Sequence, residues 1–537
     1  MPDDMVISYP RRRWLVALLV ALGSSSASGR LAWAQEAAAA PPEETAPAPP
    51  PVEPTPEVPP PAVEVATEEP PPPPPPPPPY VPPPPPYVPP PLPTKPNRWY
   101  FLQPGVFPEA DSFVGIGQLG LGTPSARHFY GGVQVGLFGA QAEHFTGLAQ
   151  VGLVKTNVER VFRGGIELTL GRNLAKEVYS GAQIALYRNV VTDLFVGLAQ
   201  VAVIRNDTRR FAGLLQLGGR NGADAFIGGL QLGAYNVVGA GLDWNDEYDG
   251  GGRRGGGGFV GGMQLGIYNK VDHGNFSGLA QVGGVNVMDD GSFRGVGQFG
   301  VLNYVDDVFY GVGQFGLLNG VDREFRGIGQ LGAVNIAADD FYGVFQAGGA
   351  NVLIDESFHG FGQFGLASYV DDDFNGVLQT SAVFNYVGEN FAGVLQLGGL
   401  FNYVRDDFQG VLQIGAFNGV NEEFYGVSQI GVVNMTGDDH VGAQLGFVNL
   451  VKDHIHGLQA GFYSGAEEVT GMQIGVVNSS DRLTGASMGL YNRTKHVRGF
   501  QLGLVNMTDR LRGVQIGLIN LSKQGGLRFF PVMNIGL

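Results

Sequence analysis

The chain carries two groups of side chains that could bind a metal ion. Aspartates recur in pairs and triplets between apolar segments, as at 306–307 and 371–373, and carboxylates on tight turns are ligands for Ca²⁺. His440, His454 and His456 lie near one another in sequence, and imidazole is a common metal ligand. The aspartates lack the nonapeptide spacing of calcium-binding β-rolls, and the histidines lack a firm third ligand. Solvated turn charge is therefore the favoured interpretation, calcium binding stays open, and we predict no metal site.

Catalytic residues are not indicated by the sequence. Gly-x-Gly pairs such as the one at Gly115 and Gly117 arise from a repeat and lack the strand-to-helix context of a dinucleotide site. No Ser-His-Asp set, phosphate-binding loop or acid pair rises above chance. We therefore predict that the protein is not an enzyme and binds no cofactor. A pocket around residues 237–258 in which charged groups converge would support the alternative that the protein is an enzyme.

The N-terminus predicts export from a bacterial cell. Arg11-Arg12-Arg13 forms a basic segment, and the apolar stretch from Trp14 to Leu22 is too short to span a bilayer permanently. A small-x-small cleavage motif follows at residues 32–34. We expect residues 1–34 to be a signal peptide and the mature protein to start near Gln35, with a membrane anchor as the alternative.

The composition indicates the character of residues 35–96 and limits the classes of partner that the protein could bind. Residues 35–96 contain most of the 37 prolines, which predicts a disordered or semi-rigid polyproline-II linker, either a tether or a passive leader. The formal charge of −16 argues against nucleic acid as a partner. The absence of cysteine rules out disulfides and a lipid-modified N-terminal cysteine.

From about Phe113 onward one phrase, aromatic-x-Gly-x-x-Gln-x-Gly-x-x-Asn, recurs roughly every 14 to 17 residues. A period this short holds one strand and a turn, or one thin coil, but not a helix pair. It predicts an all-β repeat domain over residues 97–537, with a loop insertion near 237–258. We assign its repeat positions a structural role, and in the best-formed copies they are Gln298, Gln314, Gln330, Gln346, Asn303, Asn319, Asn335, Asn351, Phe293, Phe309, Phe325 and Phe341.

Residue types alternate within one unit. In the copy that ends at Leu521, Ile516 and Leu518 fall on one face of an extended strand, and Gln515 and Gly517 fall on the other. Charges concentrate between the units. The repeated glycines imply a close approach of backbones, a bend, or room for a neighbouring ring.

A large outer-membrane β-barrel is the architecture that we narrowly favour. A strand of about 10 residues, tilted by roughly 40°, rises about 25 Å, which matches the apolar band of an outer membrane. The repeated Phe at one strand end and the tyrosines near the other, such as Tyr304 and Tyr369, then resemble interfacial girdles, although aromatic ladders inside a soluble core fit nearly as well. Residues 529–537 fit a closing strand, with Pro531 tolerable only at an edge or a bulge.

A β-solenoid is the alternative architecture. Each unit would be one coil, and like residues would stack into ladders of Gln, Asn and Phe. The glutamine spacing supports it, because successive gaps of about 16 or 17 residues lack the alternation of short turns and long loops that barrels show. Against it, an exposed coil should carry more charge on its outer face than Gly-Gln-Gly supplies.

The phrase G-x-Q-x-G-x-x-N, as in the segment from Gly499 to Asn506, resembles the tandem motif of leptospiral-type bacterial surface-repeat proteins. The likeness covers the chain from about Phe113 to Leu537 and implies a surface protein without catalytic residues to carry over. A weaker likeness, through Q-x-G-x-x-N, is to curli subunits. Curli repeats are longer and carry further Ser and Gln positions that this chain lacks.

Two functional hypotheses follow. The first is a non-enzymatic outer-membrane β-barrel with a structural, surface or pore role. The second is an exported β-solenoid that serves as an adhesion or interaction scaffold. Both place the chain at the outer membrane or cell surface of a diderm bacterium. The predicted partners are outer-membrane lipid and, through the Pro-rich linker, peptidoglycan or other periplasmic material.

Overall fold

A computed structural model describes residues 98–99, 101–239 and 257–537. These residues form strands and turns without an α-helix, which confirms the all-β prediction. The predicted signal peptide and the Pro-rich linker lie outside the described residues, and so does most of the insertion near 237–258.

The strands fall into three groups along the chain. Before the insertion they are β1 (Arg98–Trp99), β2 (Leu102–Gly105), β3 (Glu109–Gly120), β4 (Ser125–Gly136), β5 (Gly139–Gly152), β6 (Lys155–Thr169), β7 (Arg172–Ala185) and β8 (Arg188–Val238). In the middle they are β9 (Phe259–Asp272), β10 (Phe276–Ser277), β11 (Ala280–Asp289), β12 (Phe293–Arg294), β13 (Gly297–Phe299), β14 (Leu302–Val305), β15 (Phe309–Tyr310), β16 (Gly313–Phe315), β17 (Leu318–Val321), β18 (Phe325–Arg326), β19 (Gly329–Ala337), β20 (Phe341–Tyr342), β21 (Phe345–Leu353), β22 (Phe358–His359), β23 (Gly362–Val370), β24 (Phe374–Asn375), β25 (Leu378–Val387), β26 (Phe391–Ala392), β27 (Leu395–Gly398), β28 (Phe401–Val404), β29 (Phe408–Gln409), β30 (Leu412–Ile414) and β31 (Phe417–Val420). The last group is β32 (Phe424–Thr436), β33 (His440–Val451), β34 (His454–Gln524) and β35 (Phe529–Gly536).

Neighbouring strands pair in parallel, and each residue lies beside its counterpart one turn away. In β11, Gln281 pairs with Gln264 of β9 on one side and with Gln298 of β13 on the other. The long strands β8 and β34 wind through several turns; within β8, the side chain of Gln216 hydrogen-bonds to that of Gln200 at 2.9 Å, one turn earlier. The described chain is therefore a parallel β-solenoid.

The favoured prediction of a transmembrane β-barrel is wrong, and the alternative of a solenoid is confirmed. The hairpin-connected strands of an outer-membrane barrel pair antiparallel. Here the strands of successive turns pair in parallel, as β12 does with β15 and β14 with β17. The even spacing of the glutamines was the correct signal, because each coil of a solenoid needs nearly the same length of chain.

Each turn in the middle of the solenoid has three short sides. In the turn that starts at Phe293, the sides are β12, β13 and β14, joined by bends at 295–296 and 300–301 and by a third corner at 306–308. Phe293 and Gln298 point inward from the first two sides and have no solvent exposure. Asn303 and Val305 point inward from the third.

The core is a column of stacked phenyl rings. The rings of Phe293, Phe309, Phe325 and Phe341 are fully buried, and successive centroids lie 4.7 to 5.0 Å apart with nearly parallel planes. The prediction that these rings form girdles at strand ends is therefore wrong, and the internal ladder is the arrangement found. The glycine two residues after each Phe makes room for this column, because a Cβ on Gly311 would lie 2.9 Å from Cζ of Phe309 and 2.6 Å from the carbonyl oxygen of Gly295.

The turns tighten toward the C-terminus. After Phe424 the ring column ends in His440, and aliphatic side chains fill the core from Ile455 to Leu511. The glycine two residues before the repeat glutamine, such as Gly499 before Gln501, has a positive φ in these turns, 145° at Gly499. A side chain is strained in that conformation, so glycine is required at this corner of the shortest turns.

Strand β35 covers the edge of the last turn instead of closing a barrel. It pairs antiparallel with the Gly513–Leu521 part of β34. Pro531 falls at an irregularity in this pairing, between the partners of Gly517 and Asn520, where its missing N–H interrupts no regular ladder bond.

Candidate functional site

The predicted repeat glutamines from Gln298 to Gln346 form an unbroken part of a column of hydrogen bonds inside the solenoid. The Nε2 atom of each donates to the Oε1 atom of the glutamine one turn earlier, at 2.8 Å from Gln314 to Gln298 and 2.7 Å from Gln330 to Gln314. Gln346 continues the column at 2.8 Å from Gln330. These amides are fully buried, so the hydrogen bonds replace the water that burial removes.

The predicted asparagines form a second column that runs in the opposite direction. Asn303 donates from Nδ2 to Oδ1 of Asn319 in the next turn at 2.9 Å, and Asn319 and Asn335 continue to Asn335 and Asn351 in the same way. The second amide hydrogen of Asn303 reaches the backbone oxygen of Phe315 at 3.0 Å. The glutamine and asparagine dipoles therefore oppose each other along the axis, and both columns bind turn to turn.

Because each column has a direction, the loss of one amide leaves one specific oxygen acceptor without a hydrogen-bond donor. Glu167 replaces a glutamine, and the oxygen left without a donor is Oε1 of Gln150, one turn earlier. Ser487 interrupts the same column, and the unpaired oxygen is Oε1 of Gln473. In both places the orphaned acceptor lies on the N-terminal side, as expected for glutamines that donate toward the N-terminus.

The asparagines donate toward the C-terminus, so a break in their column leaves the unpaired acceptor on the C-terminal side. Ser464 occupies an asparagine position, and the acceptor left unpaired is Oδ1 of Asn478 in the following turn. The hydroxyl of Ser464 also has no hydrogen-bond partner. Ser368 interrupts the column in the same way, and Oδ1 of Asn385 is unpaired.

We expect Ser464→Asn to stabilise the fold, because its Nδ2 would donate to Asn478 and its Oδ1 would accept from Asn449. One restored buried hydrogen bond contributes about 1 kcal/mol to the free energy of unfolding. Urea unfolding followed by circular dichroism measures the change. Ser464→Ala is the matched control, since it removes the unpaired hydroxyl and adds no amide. Equal stabilities of the two variants would contradict the directional column.

Among the described residues, Glu167 is the one position of the two amide columns that carries an ionisable group. It is fully buried, and burial raises its pKa to about 7, against the opposing effect of hydrogen bonds from Thr156 and Gln183. Oγ1 of Thr156 lies 2.6 Å from Oε1 of Glu167 and 2.5 Å from Oδ1 of Asn173. The amide group of Asn173 donates to Ile184 and to Asn189, so its oxygen is an acceptor.

One hydroxyl hydrogen cannot serve two acceptors. Thr156 can donate to Asn173 only if the carboxyl of Glu167 is protonated and donates its own hydrogen to Thr156. The heavy-atom distances therefore favour a neutral carboxylic acid inside the core, in the same direction as the raised pKa.

The three histidines do not come together as a metal site. His440 is buried at the end of the phenyl column, stacked on Phe424 at 4.4 Å, and burial lowers its pKa to about 3. His454 lies at a charged corner, with Nδ1 2.9 Å from Asp439. Between it and the exposed His456, Ile455 points into the core.

The aspartates form an acidic edge along one corner of the solenoid, between the third side of each turn and the first side of the next. Oxygens of Asp289, Asp290 and Asp306 lie within 4.8 Å of one another. Basic and hydroxyl groups already contact them: Nζ of Lys270 lies 2.7 Å from Asp289, and the Tyr304 hydroxyl donates to Asp306 at 3.0 Å. Burial and neighbouring carboxylates raise the pKa of Asp306, which fits mutual repulsion along the edge.

An apolar face covers the side of the solenoid away from this edge. We define it by the outward positions two before, one after and three after each ladder position, which are Val296, Phe299 and Val301 in the turn of Gln298. In every turn that the structure describes, these positions lack charge, and apart from Thr380 they hold only apolar residues, glycine or proline. Six widely spaced members are between 58% and 71% exposed, namely Leu148, Leu198, Ile267, Leu317, Val427 and Leu518.

The alternation within each unit was correct. The solenoid alternative was expected to expose Gly-Gln-Gly, whereas Gln515 is fully buried and Leu518 is 66% exposed. The signal that identifies the apolar face was present, since charge is absent from three positions around every ladder residue. The sequence analysis connected this signal only with the lipid-facing side of a barrel, because the outer face of a solenoid was expected to carry charge.

An open groove of about 610 Å³ lies where the turns begin to shorten. Its walls include Tyr403, Met435 and Tyr463, and charged groups such as Lys452 and Glu467 line its rim. The groove borders the acidic edge, and its lining also includes Ser480 and Asp481.

These features define a parallel β-solenoid with paired amide columns, an acidic edge and an apolar face. No family model, curated protein or solved structure matches the chain. Across the described ranges, no helix has the length and apolar content needed to cross a membrane.

Proposed function

We propose that the protein is an exported, non-enzymatic β-solenoid that acts as an interaction scaffold at the bacterial cell envelope and attaches by its apolar face. The observation that carries the proposal is the charge-free outer face that continues through all described turns. Contiguous exposed apolar patches of more than a few hundred Å² mark protein or membrane interaction sites.

The arrangement of polar side chains supports a scaffold rather than an enzyme. The repeated glutamines and asparagines are buried and hydrogen-bond to one another, so they are not available to a substrate. The carboxylates are distributed along one edge, where each turn repeats the last. A repeated surface on a rigid axis is suited to binding an extended partner.

Export rests on the basic and apolar segments of residues 11–22 and on the cleavage motif at 32–34. The Pro-rich residues 35–96 would then be a tether between the solenoid and periplasmic material or peptidoglycan. The outer membrane or cell surface of a diderm bacterium is the location that we propose.

Fractionation of the full chain, expressed in a diderm bacterium, tests this function. We expect a processed chain in the envelope fraction and an elongated particle by small-angle scattering after detergent release. Two variants are compared. The face variant is Leu198→Asp, Leu317→Asp and Val427→Asp; the control variant is Ala338→Asp, Asn421→Asp and Gln524→Glu, which adds equal charge at the charged corners, away from the apolar face and its borders.

The face variant should move to the soluble periplasmic fraction by at least tenfold, while the control variant should stay in the envelope. If both variants were distributed equally between the envelope and periplasmic fractions, attachment by the apolar face would be contradicted. Retention of the unprocessed chain in the cytoplasm would refute export. Circular dichroism of both purified variants should retain the strand spectrum of the parent chain.

A further inference from the structure

The apolar face has a backbone that can enter a hydrocarbon phase. Its corner residues are hydrogen-bonded from turn to turn: the N–H of Val296 reaches the oxygen of Leu279 at 2.7 Å, and Val312 reaches Val296 at the same distance. Ile328 and Val344 extend this chain at 2.8 and 2.7 Å. In lipid an unpaired backbone group costs several kcal/mol, and these corner amides avoid that cost.

Amphipathic side chains border the apolar face on the first side of four consecutive turns in the middle of the solenoid. Arg294, Tyr310, Arg326 and Tyr342 stack in consecutive turns, with guanidinium carbons 5.4 to 5.7 Å from the ring centroids. Tyrosine and arginine present apolar bodies and polar ends, which suits the boundary between hydrocarbon and water.

The opposite border has a second row of tyrosines. Rings at Tyr369 and Tyr386 stack at 4.9 Å, and the hydroxyl of Tyr369 donates to Asp371 on the acidic edge. When the turns are superposed along the axis, the order is therefore apolar face, tyrosine rows and carboxylates. This order matches the polarity gradient of a membrane interface, with the negative charges farthest from the lipid.

The side chains of the apolar face differ in size from turn to turn, so its surface is uneven. The position after the ladder glutamine is Phe299, then Phe315, Leu331, Ala347 and Phe364. Sheets that pack on a second copy use tightly interdigitated, complementary side chains, and identical stacked side chains give the best fit. Fluid acyl chains fill uneven relief without such matching, so the face fits lipid better than a second copy of the chain.

We propose that the solenoid lies along a lipid bilayer, with its apolar face among the acyl chains and its acidic edge in water. This inference rests on the proposed function, because it names the partner of the same face. The interaction does not require an anionic headgroup, since the face lacks basic residues. It should therefore occur on uncharged and on anionic membranes.

Because the chain has no cysteine, single labels can report the depth of each surface. A nitroxide would be placed on Leu317→Cys in the apolar face or on Asn421→Cys at the acidic edge, in the full chain. Both are mixed with phosphatidylcholine vesicles, with and without phosphatidylglycerol. On both membranes the face label should become accessible to dissolved oxygen and protected from a water-soluble nickel chelate by at least fivefold, whereas the edge label should stay in water.

Vesicle flotation completes the test. The parent chain and the control variant should float with both lipids, and the face variant should bind at least tenfold less. Since Trp14 to Leu22 is itself apolar, only differences between variants of the same full chain are interpreted.

The alternatives give different results. A face label shielded from both oxygen and the nickel chelate, in a particle of twice the mass, would mean that a second copy covers the face; this would overturn the lipid proposal and leave the scaffold function intact. A face label fully exposed in a monomer that does not float would overturn both. Flotation of the face variant equal to that of the parent would also overturn the lipid proposal.

Discussion

Phe358→Ala should lower the free energy of unfolding by about 3–5 kcal/mol, the usual effect of removing a fully buried phenylalanine. The ring has no solvent exposure and is stacked between Phe341 and Phe374, with both centroids 5.0 Å away. Its loss leaves a cavity in the phenyl column and removes two ring contacts. Hydrogen exchange should show reduced protection in the turns on either side of residue 358, because turns of a solenoid contact mainly their neighbours.

Phe361→Ala is the matched control in the same turn. Phe361 is 46% exposed on the apolar face, so its removal should lower stability by only about 1 kcal/mol, the contribution of a half-buried ring. Equal destabilisation by the two substitutions would mean that the ring at 361 is also part of the core, and the distinction between core and face would fail.

Glu167→Gln should stabilise the protein above neutral pH and remove a pH dependence of folding. The folded-state pKa of about 7 lies above the ordinary value of 4.5, so the unfolded chain loses its proton first as pH rises. Stability from this group is complete below pH 4.5, declines as pH rises toward 7, and is lost above it. The shift corresponds to about 3 kcal/mol between the two limits.

The glutamine also repairs the column. Its Nε2 can donate to the unpaired Oε1 of Gln150, and its oxygen can accept from Gln183, which adds about 1 kcal/mol. Urea unfolding at pH 4.5 and pH 8 measures both effects, as the difference between variant and parent. Glu177→Gln, at a partly exposed position in the adjacent turn, is the matched control, since it removes a carboxylate outside the amide columns. A parent chain whose stability is the same as that of Glu167→Gln at both pH values would contradict a neutral, buried Glu167.

The lesson from Gln298 is that periodicity predicts ladders better than it predicts which way a side chain points. Its recurrence correctly indicated an all-β repeat and, as the alternative, stacked amides. The expectation that a solenoid would expose Gly-Gln-Gly was wrong, because a lone amide is costly to bury but a column of amides satisfies itself. One copy of the motif cannot reveal that compensation, since the partner of each amide is in another turn.

The Phe column also shows that a repeated residue does not reveal by itself whether its side chain points inward or outward. An aromatic residue at every strand start is compatible with membrane girdles or with an internal stack, and only the 4.7 to 5.0 Å ring spacing between parallel turns distinguishes them. Residues 529–537 were similarly ambiguous, because an apolar alternating strand can close a barrel or cover the last coil.

The sequence by itself determined the repeat, the all-strand character, the charged corners and the charge-free stretches, because these depend on residue type and spacing along the chain. Tertiary structure alone decided that the strands pair in parallel, that amides and phenyl rings face inward, and that aliphatic residues form an outer surface. The physical reason is that hydrogen bonding and burial here join residues one turn apart, so the free energy of each position depends on its counterparts in the neighbouring coils.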